Sequence, residues 1–184
     1  IGSVGWRQNE QTFDGVRLTQ QLGKQWLIDL SSLHNANRIF GPKGADADLH
    51  GRFALGQLKW QPMPQHTFTA FHYDLNFDSL NGRDSLTQGL DYTGYLAAFS
   101  DFKWLLVFAD QEDKHQAPLQ FQHHYHRIDL SYSFQGITGK LVQERLGGDG
   151  QSAFQTPFAT LHAFQGFTDV FLVTPTVGIR DHYL

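Results

Sequence analysis

Apolar and polar residues alternate with a period of two along most of this chain, whereas a helical period is hard to find. Such alternation is typical of a β-strand with one apolar and one polar face, so we predict an all-β, antiparallel fold. About eight strands are expected, and a further strand is expected to begin at residue 180. The candidate strands are residues 12–20, 24–33, 49–60, 66–77, 87–99, 102–110, 120–134 and 136–146.

The connections between the candidate strands alternate strictly between short and long. In an up-and-down meander, this places every short turn at one rim of the sheet and every long loop at the other. Short periplasmic turns and long extracellular loops are typical of outer-membrane barrels. The short connections are residues 20–24, 61–65, 100–101 and 135–136, and the long ones are residues 33–48, 78–86, 110–119 and 147–180.

Alternation alone does not say which face of the sheet is turned inward. A soluble sandwich buries the apolar face against a second sheet, whereas a membrane barrel turns it to lipid and keeps the polar face around a lumen. Bulky aromatic residues flank the short turns, as in an interfacial girdle. We therefore favour the barrel, with core aromatics of a sandwich as the alternative. These residues are Trp26, Trp60, Phe99, Phe102, Trp104, Tyr132 and Phe134.

Composition narrows the classes of function. The net charge is -4 and lysine and arginine are not clustered, which argues against a nucleic-acid partner. Cysteine is absent, so disulfides and thiolate metal sites are excluded. The longest apolar runs have the length of a strand, which excludes a spanning helix but not a spanning strand. The chain has no initiator methionine or signal peptide and stops inside an apparent strand, so we expect a fragment of a longer, processed polypeptide.

Residues 146–181 follow the last long strand and have no period of their own. A loop of this length is usually functional or disordered, and its many phenylalanines argue against disorder. We predict a folded extracellular loop, or a loop that enters the lumen as a constriction. The candidate loop and constriction residues are Arg7, Arg38, Phe154, Phe158, Phe164 and Asp169.

The polar faces of the strands are the best candidate for function. Fixed charges that line a pore set its selectivity, because a solute leaving bulk water meets them in a confined space. These charges are of both signs, which predicts modest selectivity. They could also pair across strands and stabilise a solvated wall. The candidate pore-lining residues are Arg17, Asp29, His72, Asp74, Asp91, Lys103, Arg127, Asp129, Lys140 and Glu144.

Motifs that carry chemistry are weak in this sequence. His124 and His126 share a strand face and could bind zinc, but a solvated rim is the preferred interpretation. Residues 46–51 resemble the first half of a calcium loop, yet its twelfth position is Gln57 rather than glutamate. No nucleophile elbow, P-loop or zincin motif occurs. We predict no enzymatic activity, no cofactor and no metal, with calcium at residues 46–51 or 110–113 as the alternative.

Three long, order-specific motifs occur in this sequence: VGWRQNEQTFDGVRL at 4–18, NRIFG at 37–41, and LGGDG with FQTP, ATLHAF and FLVTP at 146–175. Together they resemble the alginate-export family of outer-membrane porin-like proteins. The resemblance implies a monomeric barrel of about 16 to 18 strands in the outer membrane of a Gram-negative bacterium. Residues 1–184 would then be one incomplete barrel segment from its C-terminal half, in contact with outer-membrane lipid and lipopolysaccharide.

The first functional hypothesis is an outer-membrane porin-like channel that passes polar or anionic solutes, with export of a polysaccharide such as alginate as one form. A soluble antiparallel β domain that binds a carbohydrate or another ligand is the alternative. A barrel-embedded hydrolase that uses His72 and Asp74 is the third. Because a segment of a wide barrel has two unpaired edges, we expect a curved open sheet unless the strands close more tightly than in the parent barrel.

Overall fold

The structure is a computed structural model that describes residues 10–41, 43–44, 47–96, 98–158 and 173–183. Within these ranges nine antiparallel strands form one sheet, and each strand pairs with its neighbours in chain order. A 3-10 helix, Asn81–Arg83, lies between the fourth and fifth strands. The strands are β1 (Thr12–Leu22), β2 (Trp26–Asn37), β3 (Asp48–Met63), β4 (His66–Phe77), β5 (Ser85–Leu96), β6 (Phe99–Asp113), β7 (Gln122–Phe134), β8 (Ile137–Leu146) and β9 (Ile179–Tyr183).

This topology confirms the predicted all-β, up-and-down meander, including a strand at the end of the chain. In the described part of the chain β1 and β9 do not pair, so the sheet is open. The connections after β1, β3, β5 and β7 have two or three residues, and those after β2, β4, β6 and β8 are long. We call the two ends of the sheet the short-turn rim and the long-loop rim. The turn between β7 and β8 consists of Gln135 and Gly136, whose positive φ angles of 50° and 82° suit a two-residue hairpin.

The strand register divides the side chains into two faces, because directly paired residues of neighbouring strands lie on the same side of a sheet. One side, the apolar face, carries large hydrophobic residues that are 39% to 74% exposed. Ala70 on β4 lies between two of them and keeps the surface continuous. We call this surface the apolar band; its large residues are Val16, Leu18, Leu30, Leu58, Leu90, Leu106, Phe108, Ile128 and Leu141.

A ladder of aromatic rings crosses the apolar face near the short-turn rim. The ring of Trp60 stacks between Trp26 and Phe68, at centroid distances of 5.4 Å and 5.5 Å. The ladder continues from Phe68 to Tyr92 at 4.5 Å and from Tyr92 to Trp104 at 5.8 Å. The predicted clustering of aromatics beside the short turns therefore produces a contiguous surface on one face. The side chain of Phe99 lies outside the described part of the structure.

The buried hydrophobic residues lie on the other side of the sheet, the polar face, close to the long-loop rim. Most of them form two small clusters, and each cluster contains a phenylalanine from the loop after β8. In the described ranges no second sheet covers either face. The first cluster is Ala36, Leu49, Phe53, Leu75, Phe77 and Phe158, and the second is Ala109, Leu146 and Phe154.

The contacts of these two phenylalanines require a strongly curved sheet. Phe158 packs against Phe13 of β1, whereas Phe154 belongs to the cluster that contains Leu146 of β8. Seven strand spacings separate β1 from β8, which is about 34 Å across a flat sheet. Four extended residues reach only about 14 Å. The long-loop ends of β1 and β8 must therefore approach each other around residues 147–158, which we call the covering segment.

Candidate functional site

Eight of the ten candidate pore-lining residues lie together on the polar face. The register shows this in rows of directly paired residues: Ser131 pairs with both Lys103 and Lys140, and Arg127 pairs with Glu144. These eight residues run from β1 to β8, so the polar face carries charges of both signs across the sheet. They are Arg17, Asp29, Asp91, Lys103, Arg127, Asp129, Lys140 and Glu144.

The assignment of His72 and Asp74 to this face is wrong. His72 pairs with Gly56, which pairs with Leu30 of the apolar band, so His72 and Asp74 lie on the apolar face. There His72 contacts Gln88 at 2.9 Å, and Asp74 pairs with the loop residue His115. The sequence of β4 was ambiguous because it has aromatic residues at both alternating sets of positions. On the polar face, β4 has no charged residue, and its polar groups are hydroxyls such as that of Tyr73.

The densest part of the polar face is a network on β7 and β8. Arg127 donates to Asp129 through Nε and Nη2, at 2.6 Å and 2.9 Å, and its Nη1 lies 3.7 Å from Glu144. Lys140 Nζ lies 2.9 Å from Asp129, and the Tyr125 hydroxyl donates to Glu144 at 2.6 Å. The side chains of Arg127, Asp129 and Glu144 are only 2% to 11% exposed. Each buried charge thus has an opposite charge beside it, as burial requires.

Other charges of the polar face form a pair and a row. Arg17 of β1 donates hydrogen bonds to the Asp29 carboxylate from two nitrogens, Nε and Nη2, and Nε lies 2.9 Å from Oδ1. Further along the sheet, Lys59, Thr69 and Asp91 are directly paired across β3, β4 and β5. Sequence reasoning missed Lys59, because the alternation of β3 did not fix its register. Its position opposite Thr69 adds a cation to the middle of the polar face.

The covering segment is attached to the polar face by hydrogen bonds as well as by its phenylalanines. The buried Gln111 of β6 donates to the Gln155 carbonyl at 2.9 Å, and the Gln155 backbone N–H donates back at 2.8 Å. Gln111 also donates to Thr87 at 2.9 Å. Two predicted loop residues, Phe154 and Phe158, are therefore held against this face. The loop is not simply projecting into solvent at these positions.

A tight turn begins the covering segment. The backbone N–H groups of Gln151 and Ser152 donate to one carboxylate oxygen of Asp149, each at 2.8 Å. These two hydrogen bonds lower the pKa of Asp149 below its usual value, and the one from Ser152 has the larger effect. The Ser152 hydroxyl contacts the ring of His123 at 2.8 Å, which links the turn to β7.

The long loops meet each other at their rim. Asp84 is fully buried and accepts hydrogen bonds from the backbone N–H of Phe77, at 2.7 Å, and of Gln116, at 3.3 Å. It thereby joins the loop after β4 to the loop after β6. Between these loops and the covering segment lies a cavity of about 360 Å³, which is lined by apolar and uncharged polar residues together with Arg83. Its lining includes Arg83, Gln111, Phe121, Gln155 and Thr174.

Three of the predicted loop and constriction residues, Arg7, Phe164 and Asp169, lie outside the described residues. Arg38 is described, and its guanidinium lies 4.9 Å from the centre of the Phe40 ring in the loop after β2.

The candidate metal residues are dispersed. His124 pairs with Asp110 on the apolar face at 2.9 Å, whereas His123 points to the polar face. Among the residues that the structure describes, no group of three or more histidine or carboxylate side chains could hold a metal ion. The described residues also contain no helix long and apolar enough to cross a membrane.

Comparison with known proteins gives no relative. No protein-family model, no curated protein and no solved structure matches the chain.

Proposed function

We propose that this chain forms part of an outer-membrane porin-like channel that passes polar or small anionic solutes. The observation that carries the proposal is the apolar band, which remains exposed across eight neighbouring strands. Soluble monomers rarely expose a contiguous apolar surface of this extent. A lipid environment would cover it without a second sheet. The aromatic ladder at the short-turn rim and the long loops at the opposite rim support the same orientation.

In this orientation the polar face lines the lumen. Its acids and bases neutralise each other locally, as Arg17 with Asp29 and Arg127 with Asp129 illustrate. A wall with little net charge exerts only a weak field on a passing ion, so selectivity is modest. Transport of a highly anionic polysaccharide would need a strongly basic wall. The described part of the wall therefore favours small polar or weakly anionic solutes over alginate.

The covering segment narrows the lumen near its outer mouth. Phe154 and Phe158 hold it against the polar face, and the Gln111–Gln155 hydrogen bonds fix its backbone. The cavity between the long loops would form the entrance above it. No catalytic group and no cofactor is assigned to this arrangement.

The open edges of the sheet fit a larger barrel. A strand edge with free N–H and C=O groups is unfavourable in lipid and invites pairing with another strand. In our proposal, further strands of the same polypeptide pair with β1 and β9 and close a monomeric barrel in the outer membrane of a Gram-negative bacterium. Outer-membrane lipid and lipopolysaccharide would then contact the apolar face.

The test uses the full-length protein that carries this segment, with lysine placed at one of two adjacent positions of β6. Leu106→Lys puts a charge in the apolar band, where lysine in lipid costs about 2 to 4 kcal/mol at mid-depth. Val107→Lys puts the same charge on the polar face and is the matched control. We expect wild type and Val107→Lys in the outer-membrane fraction and conducting in planar bilayers, and loss of assembly for Leu106→Lys. Recovery of the wild type from soluble periplasm without detergent would refute the channel and favour a soluble ligand-binding domain.

A further inference from the structure

Three cationic or titratable side chains stand in one row on the apolar face. His126 of β7 pairs directly with Arg145 of β8, and Arg145 pairs directly with Arg180 of β9. Directly paired residues of neighbouring strands have Cβ atoms about 4.5 to 5.5 Å apart, so each of these side chains lies next to the following one in the row. Phe108 of the apolar band occupies the next place in the same row, opposite His126. We call His126, Arg145 and Arg180 the cationic row.

The cationic row lacks counter-ions among the described residues. Like charges directly opposite each other in a sheet are destabilising. On the polar face, by contrast, Arg17, Arg127 and Lys140 each form an ion pair with a carboxylate. No carboxylate in the described ranges forms an ion pair with Arg145 or Arg180. An anion from outside these ranges would therefore stabilise the row.

The cationic row lies where the apolar band ends. Arg145 is the penultimate residue of β8 and Arg180 the second residue of β9, and both are exposed at the long-loop rim. Towards the short-turn rim, Ile128 of the band is about 7 Å from His126 along β7, and Leu141 is about 13 Å from Arg145 along β8. The row thus faces the same side as the apolar band. In the proposed membrane orientation, it stands at the height where the membrane changes from acyl chains to head groups.

We propose that the cationic row is a binding site for the phosphate groups of a phosphorylated glycolipid in the outer leaflet, the lipid A part of lipopolysaccharide. The planar guanidinium of arginine binds a phosphate through two parallel hydrogen bonds, which suits two arginines side by side. Acyl chains of the same lipid would lie on the apolar band below. This inference rests on the proposed membrane orientation, since only that orientation brings a lipid phosphate to the row.

The test compares two double variants of the full-length protein in detergent micelles, with lipid A as the probe. Arg145→Gln/Arg180→Gln removes the two charges of the row. Lys43→Gln/Lys114→Gln removes two charges from exposed loop positions at the same rim and is the matched control. We expect the first variant to bind bisphosphorylated lipid A at least about tenfold more weakly than wild type, and the control to bind it normally. Dephosphorylated lipid A should bind wild type as weakly as bisphosphorylated lipid A binds the first variant.

Inorganic phosphate separates a lipid site from a general anion site. If it displaces lipid A at micromolar concentration, the row binds free anions and the lipid proposal is wrong. Equal binding by both double variants would also overturn it. Normal outer-membrane assembly and conductance in that case would leave the channel proposal intact. Absence of assembly in the wild type would instead refute the channel and the lipid site together.

Discussion

The guanidinium of Arg127 closes a two-point contact on the carboxylate of Asp129, two residues further along the same strand, at 2.6 Å and 2.9 Å. Residues i and i+2 of a strand lie on the same face, so this pair neutralises itself without help from a neighbouring strand. Lys140 reaches the same carboxylate from β8. The Asp129 carboxylate therefore forms ion pairs with two cations of the polar face, Arg127 and Lys140.

Replacing Asp129 with asparagine should change the net charge of the polar face and the stability of the protein. Lys140 would lose its anionic partner, Arg127 would keep only Glu144 at 3.7 Å, and the polar face would gain net positive charge. We expect the reversal potential under a KCl gradient to shift towards chloride selectivity, and stability to fall by about 3 kcal/mol because a largely buried pair is broken. Asp78→Asn, at an exposed loop position, is the control. An unchanged reversal potential in a folded Asp129→Asn channel would mean that Asp129 does not face the conducting path.

Removing the Phe158 ring should loosen the covering segment. Phe158 packs on Phe13, Phe53 and Phe77 at centroid distances of 5.0 Å to 5.8 Å. Truncating a buried phenylalanine to alanine costs about 3 to 5 kcal/mol of packing. We expect Phe158→Ala to raise single-channel conductance and to make the segment sensitive to protease added outside. Val173→Ala, which removes an exposed side chain, should change neither quantity. Unaltered conductance and protease resistance in Phe158→Ala would show that this ring does not hold the segment.

The turn at Asp149 predicts a dependence on pH. Because its pKa is lowered in the folded protein, the carboxylate stabilises the turn fully above the ordinary carboxyl pKa of about 3.9, and this contribution disappears as pH falls through the lowered pKa. Protease cleavage in residues 147–158 should therefore increase only at acidic pH. Asp149→Asn, which can still accept the two N–H groups, should remove that part of the pH dependence. A wild-type cleavage profile that is flat through this acidic range would contradict the role of the carboxylate.

Replacing Gly89 with alanine should destabilise the protein, because there is no room for the added methyl group. A Cβ at this position would lie 2.3 Å from the Phe71 ring and 2.6 Å from the Phe108 carbonyl oxygen. Overpacking of this kind typically costs about 1 to 3 kcal/mol. We expect Gly89→Ala to lower the midpoint of urea unfolding in vesicles. Gly139→Ala, where a Cβ meets nothing within 4 Å, is the matched control. Equal midpoints for the two variants would mean that the sheet adjusts around Gly89.

Much of the sheet followed from the sequence because alternation and turn spacing are local properties. On β6, residues 104–109 are all apolar. The aromatic residues Trp104 and Phe108 nevertheless indicated correctly which set of alternating positions lies on the apolar face. On β4 both alternating sets contain aromatics, so pattern alone reversed the faces and misplaced His72 and Asp74. On β3 the pattern did not fix a register, and Lys59 was missed.

The contacts of the covering segment could not be predicted in the same way. The sequence indicated that Phe154 and Phe158 belong to a folded loop, but not which strands they meet. Some of those contacts join residues that are more than a hundred positions apart in the sequence, such as Phe13 and Phe158. They depend on the curvature of the whole sheet, which has no local sequence signature.

A nitroxide scan along residues 103–108 of β6 tests the central claim, the orientation of the two faces, most directly. The chain has no cysteine, so each position can carry a single spin label. In vesicles, labels at positions 104, 106 and 108 should collide with oxygen dissolved in lipid, and labels at 103, 105 and 107 with a water-soluble nickel reagent. Leu105 and Val107 are decisive because they are apolar residues that the register places on the polar face. Labels that respond to oxygen alike at all six positions, or to nickel alike, would contradict a strand that separates lipid from a water-filled lumen.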